Sequence, residues 1–171
     1  MVGIEVKNGV KLPYRMMSLN KRKESEDIVK WIEKYNSRNV ILTDKLDGLS
    51  IIGVYERDKG NNMNIKLLTR GDGYNGLDIS KLLKYIDIPK EIMGDKMVIR
   101  GEIIMKKNVF EDKYKSKFSN ARNLVSGAIL RKNINKSVIE DINIVWYAVY
   151  YPENLIYSEQ LELLNSNEFN I

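Results

Sequence analysis

The sequence predicts a mixed α/β protein built on a largely antiparallel sheet, and three observations carry that prediction. Strand-length runs rich in β-branched and aromatic residues succeed one another across short turns, as at 49–57 and 64–69. Segments with apolar residues at helical spacing come between other strands, without the regular strand and helix alternation of a doubly wound parallel sheet. The chain has 171 residues, enough to bury one sizeable core, and is most simply one compact domain.

In chain order, Glu24 to Tyr35 sets Ile28, Trp31, Ile32 and Tyr35 on one helical face. Val40 to Asp44 and Leu49 to Arg57 read as strands, and Asn64 to Thr69 as a third. Lys59-Gly60-Asn61-Asn62 is a hairpin loop, and Gly71-Asp72-Gly73 a tight turn that needs glycine's positive-φ freedom. Asp78 to Asp87 presents Ile79, Leu82, Leu83 and Ile86 as a helical face that stops before Pro89. Lys96 to Met105 is a strand, Phe110 to Lys117 and Asn120 to Lys132 are short helices, Ile142 to Tyr151 is a strand, and Ser158 to Asn165 a last helix. There is no internal repeat and no low-complexity segment.

Composition narrows the chemistry. The chain has no cysteine and no histidine, which removes the usual nucleophiles, bases and transition-metal ligands and leaves lysine as the natural covalent catalyst. No apolar stretch approaches the roughly 18 residues that span a bilayer, and Met1 to Lys11 lack a signal-peptide core. The expectation is a cytoplasmic protein with no membrane partner. A net charge of +5 favours a polyanionic partner modestly. Locally the bias is sharper: Lys106, Lys107, Lys113, Lys115, Lys117, Arg122, Arg131, Lys132 and Lys136 face only Glu111 and Asp112 across that stretch. Such a run can track phosphates, or can be a solvated face with no ligand.

The motif that uses the lysine is Lys45-Leu46-Asp47-Gly48, between the apolar runs Val40-Ile41-Leu42 and Leu49-Ser50-Ile51-Ile52. On a strand, alternation would send Lys45 and Asp47 to one face and Leu46 to the other. A lysine amine with an ordinary pKa near 10.4 attacks well only where its surroundings favour the neutral form; Arg70, Arg100 or a bound divalent metal could supply the positive charge that does so. Gly48 would let the backbone pass close to a ligand. As a lone tetrapeptide the motif is a surface ion pair at a turn.

Its company is what gives it meaning. Downstream come Thr69-Arg70-Gly71-Asp72-Gly73, Arg100-Gly101-Glu102, Ser119-Asn120-Ala121-Arg122-Asn123 with Ser126-Gly127, and Tyr147; upstream stand Pro13 and Met17-Ser18-Leu19. From about Leu12 to its end the chain thus resembles the nucleotidyltransferase (adenylation) domain of NAD-dependent DNA ligases. The resemblance implies the nucleotidyltransferase fold of that domain, ATP-grasp-like. It also implies the chemistry: the lysine attacks NAD to form a lysyl-AMP, the AMP passes to the 5′-phosphate of a nick in double-stranded DNA, and the nick is sealed.

Residue by residue, the resemblance makes Lys45 and Asp47 the catalytic pair. It places Met17, Ser18 and Leu19 along the adenine side of a pocket that also holds Gly48, Arg70 at the nucleotide, Glu102 on the ribose hydroxyls and Tyr147 stacked on the adenine ring. Arg122 and Arg131 would contact DNA phosphates, with Arg131 one residue further along than in bacterial members. NAD and Mg²⁺ are the implied cofactors, and nicked DNA, NAD and AMP the implied partners.

Two departures stand out. The family's glutamate two residues before the nucleophile is Thr43 here, followed by Asp44. The resemblance also implies that 1–171 is part of an adenylation domain, without the amino-terminal module that grips nicotinamide mononucleotide, the later lysine-bearing motifs, or the zinc-finger, helix-hairpin-helix and OB domains. A second polypeptide supplying those parts is a corresponding expectation. Two alternatives stay open: an ATP-dependent polynucleotide ligase or capping-type nucleotidyltransferase, and a non-catalytic nucleotide- or DNA-binding module. The first ranks lower because those families place arginine two residues after the glycine, where this chain has Ser50.

Overall fold

The computed structural model describes residues 9–36, 40–131 and 134–171. Its elements run β1 (Val10–Lys11), α1 (Ser25–Tyr35), β2 (Leu49–Arg57), β3 (Met63–Thr69), β4 (Asn75–Gly76), a 3₁₀ turn at Ser80–Lys84, β5 (Lys96–Met105), α2 (Lys107–Lys113), α3 (Ala121–Leu130), α4 (Lys136–Glu140), β6 (Ile142–Tyr151) and α5 (Tyr157–Ser166). The mixed α/β class with antiparallel pairing is as expected. The main sheet has the order β3-β2-β5-β6 with every neighbour antiparallel, and β1 and β4 form a separate two-stranded ladder.

The sheet has two unequal faces. Alternation along β2, β5 and β6 turns Ile51, Tyr55, Ile99, Ile103 and Trp146 to one side, where they join Leu67 of β3, Leu124, Val125, Ala128 and Ile129 of α3, and Leu164 of α5 in the main core. The opposite side carries a smaller cluster of Leu12, Met16, Ile52, Leu68 and Val98, with Tyr14, Val54 and Tyr150 partly buried against it. Leu12 and Met16 are held there by backbone bonds from their amides to the carbonyls of Tyr74 (2.8 Å) and Gly73 (2.9 Å).

Several expectations need correction. Val40 to Asp44 is not a strand: it runs as coil, and Val40, Ile41 and Leu42 are 59%, 64% and 98% exposed. β-Branched residues favour a strand only where a neighbour accepts the ladder bonds and covers the side chains, and among the described residues none pairs with them. The Asp78 to Asp87 helix shrinks to the 3₁₀ turn, where Leu82 is fully buried and Lys84 ends the run. The helix expected at 110–117 begins earlier, at Lys107, and stops at Lys113. The short helix α4 and the ladder of β1 with β4 were not foreseen. The expected end of α3 at Lys132 lies outside the described residues, and α3 itself closes at Leu130.

The two turn readings hold. Gly71 and Gly73 sit at φ 52° and 97°, and the Asp72 carboxylate ties the turn by accepting from the amides of Tyr74 (2.8 Å) and Asn75 (2.7 Å). Those backbone bonds, Asn75's first, hold Asp72 below the usual carboxylate range. Among the described residues no helix is long and apolar enough to cross a membrane.

Candidate functional site

The site lies on the less covered face of the sheet, where the middle strands carry polar residues. Ser50 of β2 stands directly opposite Glu102 of β5, and Ile52 opposite Arg100. Period-two alternation therefore puts Ser50, Glu102 and Arg100 on one face. β6 completes the row with two irregularities: its pairing with β5 skips Tyr147, between the partners of Arg100 and Gly101, and Tyr150, between the partners of Val98 and Ile99. Such extra residues are β-bulges, which re-aim side chains. Here both extra residues are tyrosines and both meet Arg100.

Glu102 is half-buried, and burial pushes its carboxyl above the ordinary range, against the opposing pull of the Ser50 hydroxyl, the Gly48 amide and the charges of Arg122 and Arg100. Its Oε1 accepts from the backbone amide of Gly48 at 3.2 Å. That bond joins the Lys45-Leu46-Asp47-Gly48 loop to β5. A Cβ on Gly48 would stand 2.0 Å from the backbone oxygen of Ile103 and 2.9 Å from its carbonyl carbon. Glycine is required here by the approach of the loop to β5.

Lys45 and Asp47 are both exposed and belong to coil, so strand alternation is not what orients them. Asp47 is positioned by an ion pair instead: its Oδ1 accepts from Arg122 Nη1 at 3.2 Å. Arg122 stands in the first turn of α3, whose start is fixed by the Asn120 side chain accepting from the amide of Asn123 at 2.8 Å. Thr43, at the place of the family's glutamate, is an exposed coil residue.

Met17 and Ser18 reach the site through two arginines. Arg70 Nη1 donates to Ser18 Oγ at 3.3 Å, and Arg100 Nη2 donates to the Met17 carbonyl at 3.2 Å. Both guanidinium groups are thus engaged with the 17–18 segment. Leu19 is 72% exposed and turned to solvent. Tyr147 is partly buried; its hydroxyl lies 3.4 Å from Ser50 Oγ, and the Arg100 guanidinium sits 5.8 Å from its ring centroid. Burial raises the Tyr147 phenol.

Arg131 is not brought to Arg122. It follows the last turn of α3 in extended conformation, exposed, while its carbonyl accepts from Lys81 Nζ at 2.7 Å. Of the basic run, Lys113 is paired with Asp141 at 2.6 Å, Lys106, Lys107, Lys115, Lys117 and Lys136 are exposed, and Lys132 lies outside the described residues. Two site residues were missed. Ser50 could have been found by counting two residues on from Gly48 into the strand; Tyr150 could not, because only the bulges bring it to this face. Among the described residues no three carboxylates converge as a metal cage would require.

A DNA ligase of Acanthamoeba polyphaga mimivirus is 42% identical over 171 residues, covering 95% of this chain and 26% of the relative. A putative DNA ligase of Invertebrate iridescent virus 6 is 36% identical over 166 residues, covering 92% of this chain and 26% of the relative. A DNA ligase of Clostridium botulinum (strain Loch Maree) is 30% identical over 171 residues, covering 88% and 25%. The chain therefore spans about a quarter of the length of these curated relatives. The family described as NAD-dependent DNA ligase adenylation domain matches residues 7–171, and a match over nearly the whole chain means that this chain belongs to that family.

Proposed function

We propose that the chain supplies the adenylation site of an NAD-dependent DNA ligase. In this reading the Lys45 amine, once neutral, attacks the α-phosphorus of NAD. A P–N bond forms, the bond to the bridging oxygen of the pyrophosphate breaks, nicotinamide mononucleotide leaves, and the amine's proton goes to solvent. The resulting AMP passes to the 5′-phosphate of a DNA nick, and attack by the 3′-hydroxyl releases AMP and closes the strand. Glu102, kept beside the loop by the Gly48 amide, serves as double acceptor for the ribose diol. Tyr147 offers its ring to the adenine, with Met17 and Ser18 opposite it. Arg70 lies toward the phosphates, and Arg122 exchanges Asp47 for a DNA phosphate.

A Mg²⁺ entering with the nucleotide would be held mostly by phosphate oxygens and water, with Asp47 as the exposed carboxylate beside the nucleophile; it would offset charge on the transferring phosphate. The observation that carries the reading is the Gly48 to Glu102 bond, which joins the lysine loop to the strand bearing the ribose acceptor.

The test uses a chimaera in which this chain replaces the matching quarter of the mimivirus DNA ligase. Adenylate-labelled NAD should leave a label that survives denaturation, and Lys45→Arg, which keeps the charge but cannot become neutral, should remove it. A label that persists in Lys45→Arg would overturn the assignment of the nucleophile. Labelling from ATP but not from NAD would move the chain to the ATP-dependent alternative.

A further inference from the structure

The guanidinium of Arg100 makes three contacts on the polar face, and none of these is to an acidic residue. Nη1 donates to the Tyr150 hydroxyl at 3.2 Å, Nη2 to the Met17 carbonyl at 3.2 Å, and the plane lies 5.8 Å from the Tyr147 centroid. Its Nε is buried without a protein partner among the described residues. An unsatisfied buried donor costs free energy that a purely structural position would be expected to shed. The two tyrosines it touches are both extra residues of β6, placed by the bulges. The third contact is to a segment 83 positions away in the chain.

We propose that Arg100 is the positioning residue of the base slot: it fixes the separation between Met17 on one side and Tyr147 on the other, and so sets the affinity for adenine without touching the phosphates. This rests on the reading of that slot as the adenine pocket. A fork with fixed donor directions can serve the Met17 carbonyl and the Tyr150 hydroxyl together while its Cζ stays 5.8 Å from the Tyr147 ring centroid. With Arg100 gone, the 16–18 segment would still be tied to Gly73 through the Met16 amide, so the fold persists and the slot alone loosens.

The test measures binding of adenosine and AMP by the full chain, by calorimetry, for Arg100→Met, Arg100→Lys, Tyr147→Ala and the double variant Arg100→Met/Tyr147→Ala, with thermal unfolding recorded for each. Arg100→Met should weaken adenosine and AMP alike by about tenfold, within the range that loss of one base–aromatic stack produces. Arg100→Lys, with a single nitrogen to reach two separated acceptors, should fall between. In the Tyr147→Ala background the further loss from Arg100→Met should shrink towards none, since residues that act as one unit are not additive.

Unchanged adenosine affinity in Arg100→Met would overturn the proposal. So would a loss confined to AMP, which would make Arg100 a phosphate partner, or a full loss persisting without Tyr147, which would make it a general support of the sheet. Failure of the unsubstituted chain to bind adenosine at all, or binding indifferent to Tyr147→Ala, would overturn instead the adenine-pocket reading beneath it.

Discussion

Gly48→Ala is a small change with a cost that can be worked from the structure. The added Cβ would meet the Ile103 oxygen at 2.0 Å and the Ile103 carbonyl carbon at 2.9 Å, both backbone atoms of β5. Neither can rotate away as a side chain would. β5 is bonded on both edges, to β2 and β6, so the loop is what must lift. Lifting it lengthens the 3.2 Å bond from the Gly48 amide to Glu102, and leaves a half-buried carboxylate with one donor fewer.

Overpacking of this kind costs about 1–3 kcal/mol, and a lost bond to a charged acceptor about 1.5–3 kcal/mol. Because the loop is coil and can yield, the stability loss should sit near the lower sum, about 2–3 kcal/mol. At roughly 2–4 °C per kcal/mol for a domain of this size, the melting midpoint should drop by about 4–12 °C. Catalysis should suffer more, because Lys45 rides on the lifted loop, and misplacement of about 1 Å costs on the order of a hundredfold. Calorimetry of the chain gives the first number, and the rate of adduct formation in the mimivirus chimaera the second. A Gly48→Ala protein with both values unchanged would refute the close approach as the reason for glycine.

Two further predictions concern the polar face. Glu102 accepts from both ribose hydroxyls at once, through both oxygens, only when ionised, and burial raises its pKa above the ordinary value of 4.5; adenosine affinity should therefore be full at neutral pH and decline as pH falls, beginning above that value. Removing the charge by Glu102→Gln should abolish the acid-side decline along with much of the affinity, and an unaltered pH profile in that variant would exclude Glu102 as the acceptor. If Arg122 and the exposed lysines of 106–117 meet phosphates, binding of nicked duplex should weaken steeply with salt, and Arg122→Ala should lower the slope of log affinity against log salt by about 1. A flat dependence would return the stretch to a solvated face.

What could be read from the chain beforehand was whatever depends on local pattern plus a partner that the pattern itself implies. β2, β5 and β6 carry the same bounds in sequence and structure because each is a run of nine or ten residues rich in β-branched or aromatic side chains, and the two inner ones are flanked by strands on both sides. Val40-Ile41-Leu42 has the same composition and no such neighbour among the described residues, so its propensity had nothing to act on. Likewise α4 spans only Lys136–Glu140, too few residues for a period of 3.6 to declare itself. The pairing of Asp47 with Arg122 joins positions 75 apart, a distance at which spacing says nothing.

The bulges in β6 were the least legible feature, and they explain why the site occurs where it does. An unbroken strand with Trp146 in the main core would turn residue 148 inward with it and leave 149 on the polar face. The structure has Val149 in the core and Tyr150 against the smaller cluster. The slips at Tyr147 and Tyr150 thus keep apolar side chains under the sheet while delivering two aromatic hydroxyls above it, one to Ser50 and one to Arg100.

That arrangement runs against stability. Polar groups on the inner strands of a sheet lose water, as the raised carboxyl of Glu102 and the unpartnered Nε of Arg100 register. Hydrophobic residues there would fold the same sheet at less cost. A partly dry strip with an acid, a guanidinium, two phenols and a hydroxyl is instead suited to gripping a flat base and a diol, because hydrogen bonds gain strength where water is scarce. On the proposed function, the adjoining Lys45 loop, bonded to that strip through one backbone amide, is the part that would do chemistry on what the strip holds.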